Sequence, residues 1–276
     1  MGRAELIARL RLQGIRPRRS MGQNFLVDDD ACRRIARAAT EGTESVVEIG
    51  AGAGSLTEHL LDECEDVVAV EKDRRMLEIL RREFEPRGLR VMEGDAVEMN
   101  FSSLADTTGH KPAIAGNLPY NAAAPILFNL LSHRRSLGRW VLMFQREMAE
   151  RIAARAGERK QGVIGLLVQS QMKVQRLFNL GPGAFYPRPK VQSTVLEFVP
   201  RQQPLVPEHL ERRFATLVKA AFGTRRKQIS NSLAPLFGSR DRLLRCLRAA
   251  GIDPKARPEQ LGIEQFCKLA KESLVP

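Results

Sequence analysis

From Val46 to Val199 short apolar runs rich in β-branched residues alternate with longer amphipathic stretches, and no other feature limits the possible folds as strongly. "SVVEIG" (45–50), "VVAVE" (67–71), "LRVMEG" (89–94), "PAIAG" (112–116) and "WVLMFQ" (140–145) read as strands. "SLTEHLLDEC", "RRMLEILRREF" and "NAAAPILFNLLS" between them space apolar residues at three and four, as helices do. Such alternation predicts an α/β fold, a mostly parallel sheet with helices on both faces. "VIGLLVQSQMKVQRLFNL" (163–180) and "STVLEFV" (193–199) read as further strands, joined by "GPGAFYPRPK", and predict a terminal antiparallel hairpin. Beyond "PRQQPLVP" (200–207) the patterns are helical. The expected organisation is a basic N-terminal arm (1–28), an α/β domain (29–203) and a small α-helical domain (204–276).

The charge distribution separates these parts. Residues 1–28 carry six Arg against Glu5 and Asp28, and residues 201–276 carry fifteen Lys/Arg against seven Asp/Glu. The middle holds 23 of each sign, so the whole excess of +12 lies on the flanks. A neutral body with basic flanks suits a polyanionic partner, although solvated basic helices give the same count. The four cysteines lie far apart, with no His at metal-ligand spacing, which predicts a reduced, metal-free protein. No stretch approaches the ~20 apolar residues of a membrane span, and the N-terminus lacks a secretory apolar run. We therefore expect a cytoplasmic protein with no membrane association; the arginine-rich start has only a weak transit-peptide character.

"VVEIGAGAGSLTEHL" puts Gly50, Gly52 and Gly54 at the turn from the first strand into a helix. Glycines there admit a ligand close to the backbone. Ser55 stands where the dinucleotide fingerprint has its third glycine, which points away from NAD and towards a nucleoside cofactor without a pyrophosphate. Glu71 ends the next strand, twenty-one residues after Gly50, near the spacing at which an acid accepts ribose hydroxyls. Asp95 follows the third strand, where a carboxylate accepts from an adenine amino group. Each acid alone would be an ordinary surface charge or helix cap. Together they resemble the S-adenosylmethionine site of class I (Rossmann-like) methyltransferases.

"NLPY" (117–120) ends the fourth strand at the same crevice. The exocyclic amine of adenine is a poor nucleophile because its lone pair is delocalised into the ring. Two acceptors aimed at its N–H groups turn that lone pair towards a methyl donor. The Asn117 side-chain oxygen and the Leu118 carbonyl supply such a pair, Pro119 holding Leu118 extended, and Tyr120 offers a face for the base. A Pro-containing turn with a packed tyrosine is the plainer reading of the tetrapeptide in isolation.

The NLPY motif, with "MGQNFLVD" (21–28), "VEIGAGAGSLT" (47–57), "MFQREMAERI" (143–152), "FYPRPKVQSTV" (185–195) and "RRKQISNSL" (225–233), resembles the bacterial small-subunit (16S) rRNA adenine N6,N6-dimethyltransferases over nearly the whole chain. The resemblance implies an enzyme that puts two methyls on each of two adjacent adenosines in the 3′-terminal hairpin, using S-adenosylmethionine and no metal, during late subunit biogenesis. It implies that Asn24 and Leu26 close over the cofactor, that Gly50, Glu71, Asp95 and Asn117 contact it, and that Phe185 packs on the target base opposite Tyr120. It makes 16S rRNA in the small ribosomal subunit the partner of the basic flanks, including "RPRR" (16–19) and "RRK" (225–227); nothing demands more than a monomer. Ala51 stands where the family commonly has Pro, and Gln192 where it commonly has an acid. A large-subunit rRNA methyltransferase of the macrolide-resistance type shares the fold. A ribosome-assembly or organellar transcription factor with an idle site is the alternative from another class.

Overall fold

In a computed structural model of the chain, which describes residues 3–12, 14–18, 22–104 and 110–274, the alternation becomes a central sheet. Helix α1 (Arg3–Leu12) and strand β1 (Phe25–Leu26) precede α2 (Asp29–Thr40). Then come β2 (Ser45–Ile49), α3 (Ser55–Glu63), β3 (Asp66–Glu71), α4 (Arg74–Phe84), β4 (Arg90–Glu93), β5 (Ala113–Asn117), α5 (Ala123–Ser132) and β6 (Trp140–Gln145). Helices α6 (Arg146–Ala153) and α7 (Val163–Gln169) lead to β7 (Met172–Leu180), β8 (Phe185–Tyr186) and β9 (Ser193–Pro200). Four helices close the described chain: α8 (Glu208–Gly223), α9 (Ile229–Leu233), α10 (Arg240–Ala249) and α11 (Ile263–Glu272).

The seven-stranded sheet runs β4-β3-β2-β5-β6-β9-β7, with the pairings from β4 to β6 parallel and β6–β9 antiparallel. Every residue of β2 and all but the last of β6 are buried, as expected where helices cover both faces. Val46, Ala113, Ala115, Val141 and Met143 share one apolar cluster with Ile35 of α2 and Leu60 of α3. Asp28 caps α2, accepting from the Ala31 N–H at 3.0 Å.

The chain divides into two compact units, residues 1–149 with 175–200, and residues 150–174 with 201–276. The second differs from the expected helical domain by taking in 150–174. "VIGLLV", read above as a strand, is helix α7: Leu166 is buried in one cluster with Phe214, Leu217, Leu233, Leu247 and Phe266. An apolar run this short fits either structure, and its packing partners decide. The N-terminal arm is also less free than its charge suggests. Leu6, Leu10 and Ile15 pack with Phe25, Val27, Met76 and Ile79, and Arg9 pairs with Glu83 at 2.7 Å. Arg16 and Arg18 are exposed; Arg19 and Met21 lie outside the described residues.

Beneath the glycine turn lies Glu48, 2 % exposed, which accepts from the Thr57 hydroxyl at 2.5 Å. Burial raises its pKa to about 8, against the opposing Thr57 bond, with the nearby Glu71 adding to the rise. The folded state thus keeps a proton that an unfolded carboxyl releases near pH ~4.3, so Glu48 lowers stability progressively as pH rises from there to about 8. Glu48→Gln keeps a neutral group of the same shape. Its melting temperature, relative to the parent, is expected to rise from pH 5 to pH 8 and then level off; a pH-independent difference would count against a protonated Glu48.

Candidate active site at the carboxyl ends of the parallel strands

Parallel strands bring their carboxyl ends to one edge, and there a cavity of about 270 Å³ opens, lined by Asn24, Phe25, Gly50, Gly52, Glu71, Lys72, Asp95 and Asn117 to Asn121 among others. Gly50, Gly52 and Gly54 have φ of +70°, +56° and +86°, a conformation that side-chain-bearing residues rarely adopt. A Cβ on Gly54 would stand 2.2 Å from the Phe84 ring, so this third glycine serves packing between the turn and α4.

Glu71, at the end of β3, holds the turn in place. Its carboxylate accepts from the N–H groups of Gly52 at 2.9 Å and of Lys72 and Asp73 at 2.8 Å each. Burial raises its pKa above the ordinary carboxylate value, and the three N–H bonds act in the opposite direction. Asp95 accepts from the Val97 N–H at 3.0 Å and from Lys72 Nζ at 2.5 Å. The Lys72 bond, followed by the Val97 N–H, holds Asp95 below the usual carboxylate range. Sequence reasoning did not single out Lys72, which sits between two assigned acids and is 64 % exposed along its side chain.

Residues 22–25 line the cavity, and side-chain bonds hold Gln23 and Asn24 in place. Gln23 donates to Asp73 at 2.8 Å and accepts from the Arg18 N–H at 2.8 Å. The Asn24 carbonyl accepts from Asn117 Nδ2 at 2.8 Å. A carbonyl can only accept, so the amide nitrogen of Asn117 is committed there, and its Oδ1 is the end left for other donors. Tyr120 lines the cavity, and its hydroxyl lies 2.8 Å from Ser193 Oγ.

The side chains of two expected residues lie outside the cavity. Leu26 is 3 % exposed and its side chain belongs to the apolar cluster beneath the sheet edge; Phe25, its neighbour on β1, lines the cavity instead. Adjacent residues of a strand point to opposite sides, which the motif alone could not orient. Phe185 pairs with Leu26 across β1–β8 and is fully buried in that same cluster, so it is not an aromatic wall for a base. Leu118 is 1 % exposed, which leaves its backbone carbonyl, and not its side chain, for any ligand. Gly50, Asn24, Glu71, Asp95, Asn117 and Tyr120 are brought together as expected.

The profile of the family described as "Ribosomal RNA adenine dimethylase" matches residues 14–273. The chain belongs to this family. It is 40 % identical over 271 residues to a ribosomal RNA small subunit methyltransferase A of Geobacter sulfurreducens, covering 95 % of this chain and 97 % of that one. A Pseudomonas aeruginosa protein of the same name is 39 % identical over 261 residues, covering 93 % and 94 %. Among solved structures, a dimethyladenosine transferase from Plasmodium falciparum superposes with a TM-score of 0.73 at 25 % identity, covering 89 % of this chain and 96 % of that one. The 23S rRNA methyltransferase ErmE, at 24 % identity and a TM-score of 0.70, shares the fold. Membership of the dimethylase family implies S-adenosylmethionine as methyl donor. The cavity fits it chemically: a glycine turn, an acid at the end of β3 and an acid after β4 surround space of nucleoside size.

Proposed function

We propose that the chain dimethylates the N6 amines of two adjacent adenosines in the 3′-terminal hairpin of 16S rRNA, within a small ribosomal subunit nearing completion. The observation that carries the chemistry is the bond from Asn117 Nδ2 to the Asn24 carbonyl, which leaves Oδ1 as the acceptor for the target amine. The Leu118 carbonyl is the second acceptor, and Tyr120 stacks on the base, a contact worth ~1–3 kcal/mol. S-adenosylmethionine, when bound, supplies the methyl group on a cationic sulfur. Glu71 would hold its ribose, Asp95 its adenine amine, and Gly50 and Asn24 would cover the remainder. Asn117 therefore serves both ligands: its amide nitrogen fixes the covering segment and its oxygen orients the amine.

Positioning and electrostatics carry the catalysis, with no side chain required as a base, because a methylated aromatic ammonium is acidic enough to lose its proton to water. The four free cysteines, three of them buried, suit the cytoplasm. A target adenosine must leave its stack to reach Tyr120, at a cost of a few kcal/mol that a hairpin loop reduces.

Incubation of the protein with labelled S-adenosylmethionine and unmethylated small subunits, followed by mapping, tests the assignment. Label is expected on two neighbouring adenosines near the 3′ end of 16S rRNA. Label on large-subunit RNA, or on neither, would overturn it.

In the helical unit Arg225, Arg226 and Lys227 are all exposed, but Arg225 already donates to the Arg159 carbonyl and lies 3.9 Å from Glu259. We assign Arg226 and Lys227 to phosphate contacts. Replacing both with alanine is expected to weaken subunit binding and to reduce the slope of log affinity against log salt by about two, close to one per lost phosphate. An unchanged slope would remove this pair from the RNA interface. Point changes are preferable to deleting 208–276, which would strip Leu166 of its buried partners.

A further inference from the structure

We infer that Ser193 is a positioning residue for methyl transfer, its hydroxyl anchoring the Tyr120 phenol so that the ring presents a fixed face to the target base. The inference rests on the stacking role proposed for Tyr120.

The topology explains why a residue so far along the chain reaches this edge. Of the parallel strands, β2, β3 and β5 deliver only their carboxyl ends to the cavity: Ile49, Val70 with Glu71, and Asn117. Strand β9 runs the other way, and its first residue, Ser193, is paired with Gln145, the last of β6. The antiparallel strand thus contributes its beginning to the edge where β5 ends in Asn117 and leads into Tyr120. Ser193 is fully buried, and its neighbour Thr194 is bonded in turn to Asn179 of β7 at 2.8 Å. The anchor therefore sits on rigid sheet and not on a loop.

Tyr120 needs such an anchor. It follows Pro119 in the turn between β5 and α5 and is only partly buried, with one side towards the cavity. A phenyl ring held there by packing on one side alone retains freedom about its side-chain torsions. Stacking depends on the ring lying parallel to the base, so every other orientation forfeits it. The 2.8 Å bond between the two hydroxyls fixes the far end of the ring. Ser193 touches neither base nor cofactor in this scheme and acts only through Tyr120.

The test is a double-mutant cycle with a stacking probe. Ser193→Ala and Tyr120→Phe each remove the same hydrogen bond, and Tyr120→Phe does so without touching buried sheet. Each is expected to lower kcat about three- to tenfold, the loss of one neutral hydrogen bond, with KM for cofactor and for small subunits within about twofold of the parent. The double variant is expected to be no worse than either single one. With 2-aminopurine in place of the target adenosine, fluorescence quenching on binding should weaken in all three. Losses that multiply in the double variant, or parental kcat and quenching in Ser193→Ala, would overturn the inference. Tyr120→Ala separates the two ideas. Parental quenching in that variant would remove the stacking role and this inference together. Quenching lost there but intact in Ser193→Ala and Tyr120→Phe would leave stacking standing and remove the anchor alone.

Discussion

Asn117→Ala is expected to lower the rate of methyl transfer by about 100- to 1,000-fold, the scale on which removing one preorganised polar group at a reaction centre acts. The loss has two sources that can be separated. The variant lacks the oxygen assigned to the target amine, which lowers kcat. It also releases the Asn24 carbonyl, to which Asn117 donates at 2.8 Å, and so loosens the segment covering the cavity. Cofactor affinity should therefore fall as well. Asn117→Asp keeps an acceptor but sets a carboxylate against a carbonyl; it should weaken cofactor binding at least as much as alanine does. Single-turnover methylation and calorimetric titration with S-adenosylmethionine measure the two effects. Parental turnover in Asn117→Ala would end the proposed mechanism.

Glu71→Ala should be the most damaging change to cofactor binding and a serious one for stability. It removes the ribose acceptor and leaves the N–H groups of Gly52, Lys72 and Asp73 without their partner. A buried donor stripped of its acceptor costs about 1–3 kcal/mol, so even with water reaching part of the gap the loss should be about 3 kcal/mol. In a chain of this size that lowers the melting temperature by about 10 °C. Cofactor affinity is expected to fall at least about 100-fold, roughly 2.7 kcal/mol. Thermal unfolding without cofactor isolates the structural part. A variant that melts with the parent and binds as tightly would show that Glu71 is neither scaffold nor ligand.

The α/β architecture was legible because short β-branched apolar runs, the signature of strands buried on both faces, alternate with stretches of period 3.6 along residues 46–145. The glycine turn, Glu71, Asp95 and Asn117 were legible because strand ends in a parallel sheet converge, so position relative to a strand fixes position in the cavity. Residues 163–169 were not, since "VIGLLV" fits strand and helix alike until Leu166 meets Phe214 and Phe266. The orientation of the Leu26 and Phe185 side chains was not legible for a related reason. Their motifs say that the segment lies at the site, but not which side chain faces it, and here β1 and β8 turn both into the core. Lys72 and Ser193 carried no signal of their own. A lysine after an acid is ordinary, and a serine opening a strand acquires meaning only when an antiparallel pairing sets it beside Gln145.

What the sequence determined by itself is the class of sheet, the edge at which the chemistry lies and the residue types presented there, because these follow from local periodicity and strand order. What only the tertiary structure decided is how each group is held: Asn117 by the Asn24 carbonyl, Glu71 by three backbone N–H groups, Asp95 by Lys72, Tyr120 by Ser193. Those bonds join residues 19 to 93 positions apart, apart from the adjacent Lys72 and Asp73 amides. Local pattern cannot encode a distance of 2.8 Å across such separations; it takes the packed sheet to bring the partners within hydrogen-bond reach.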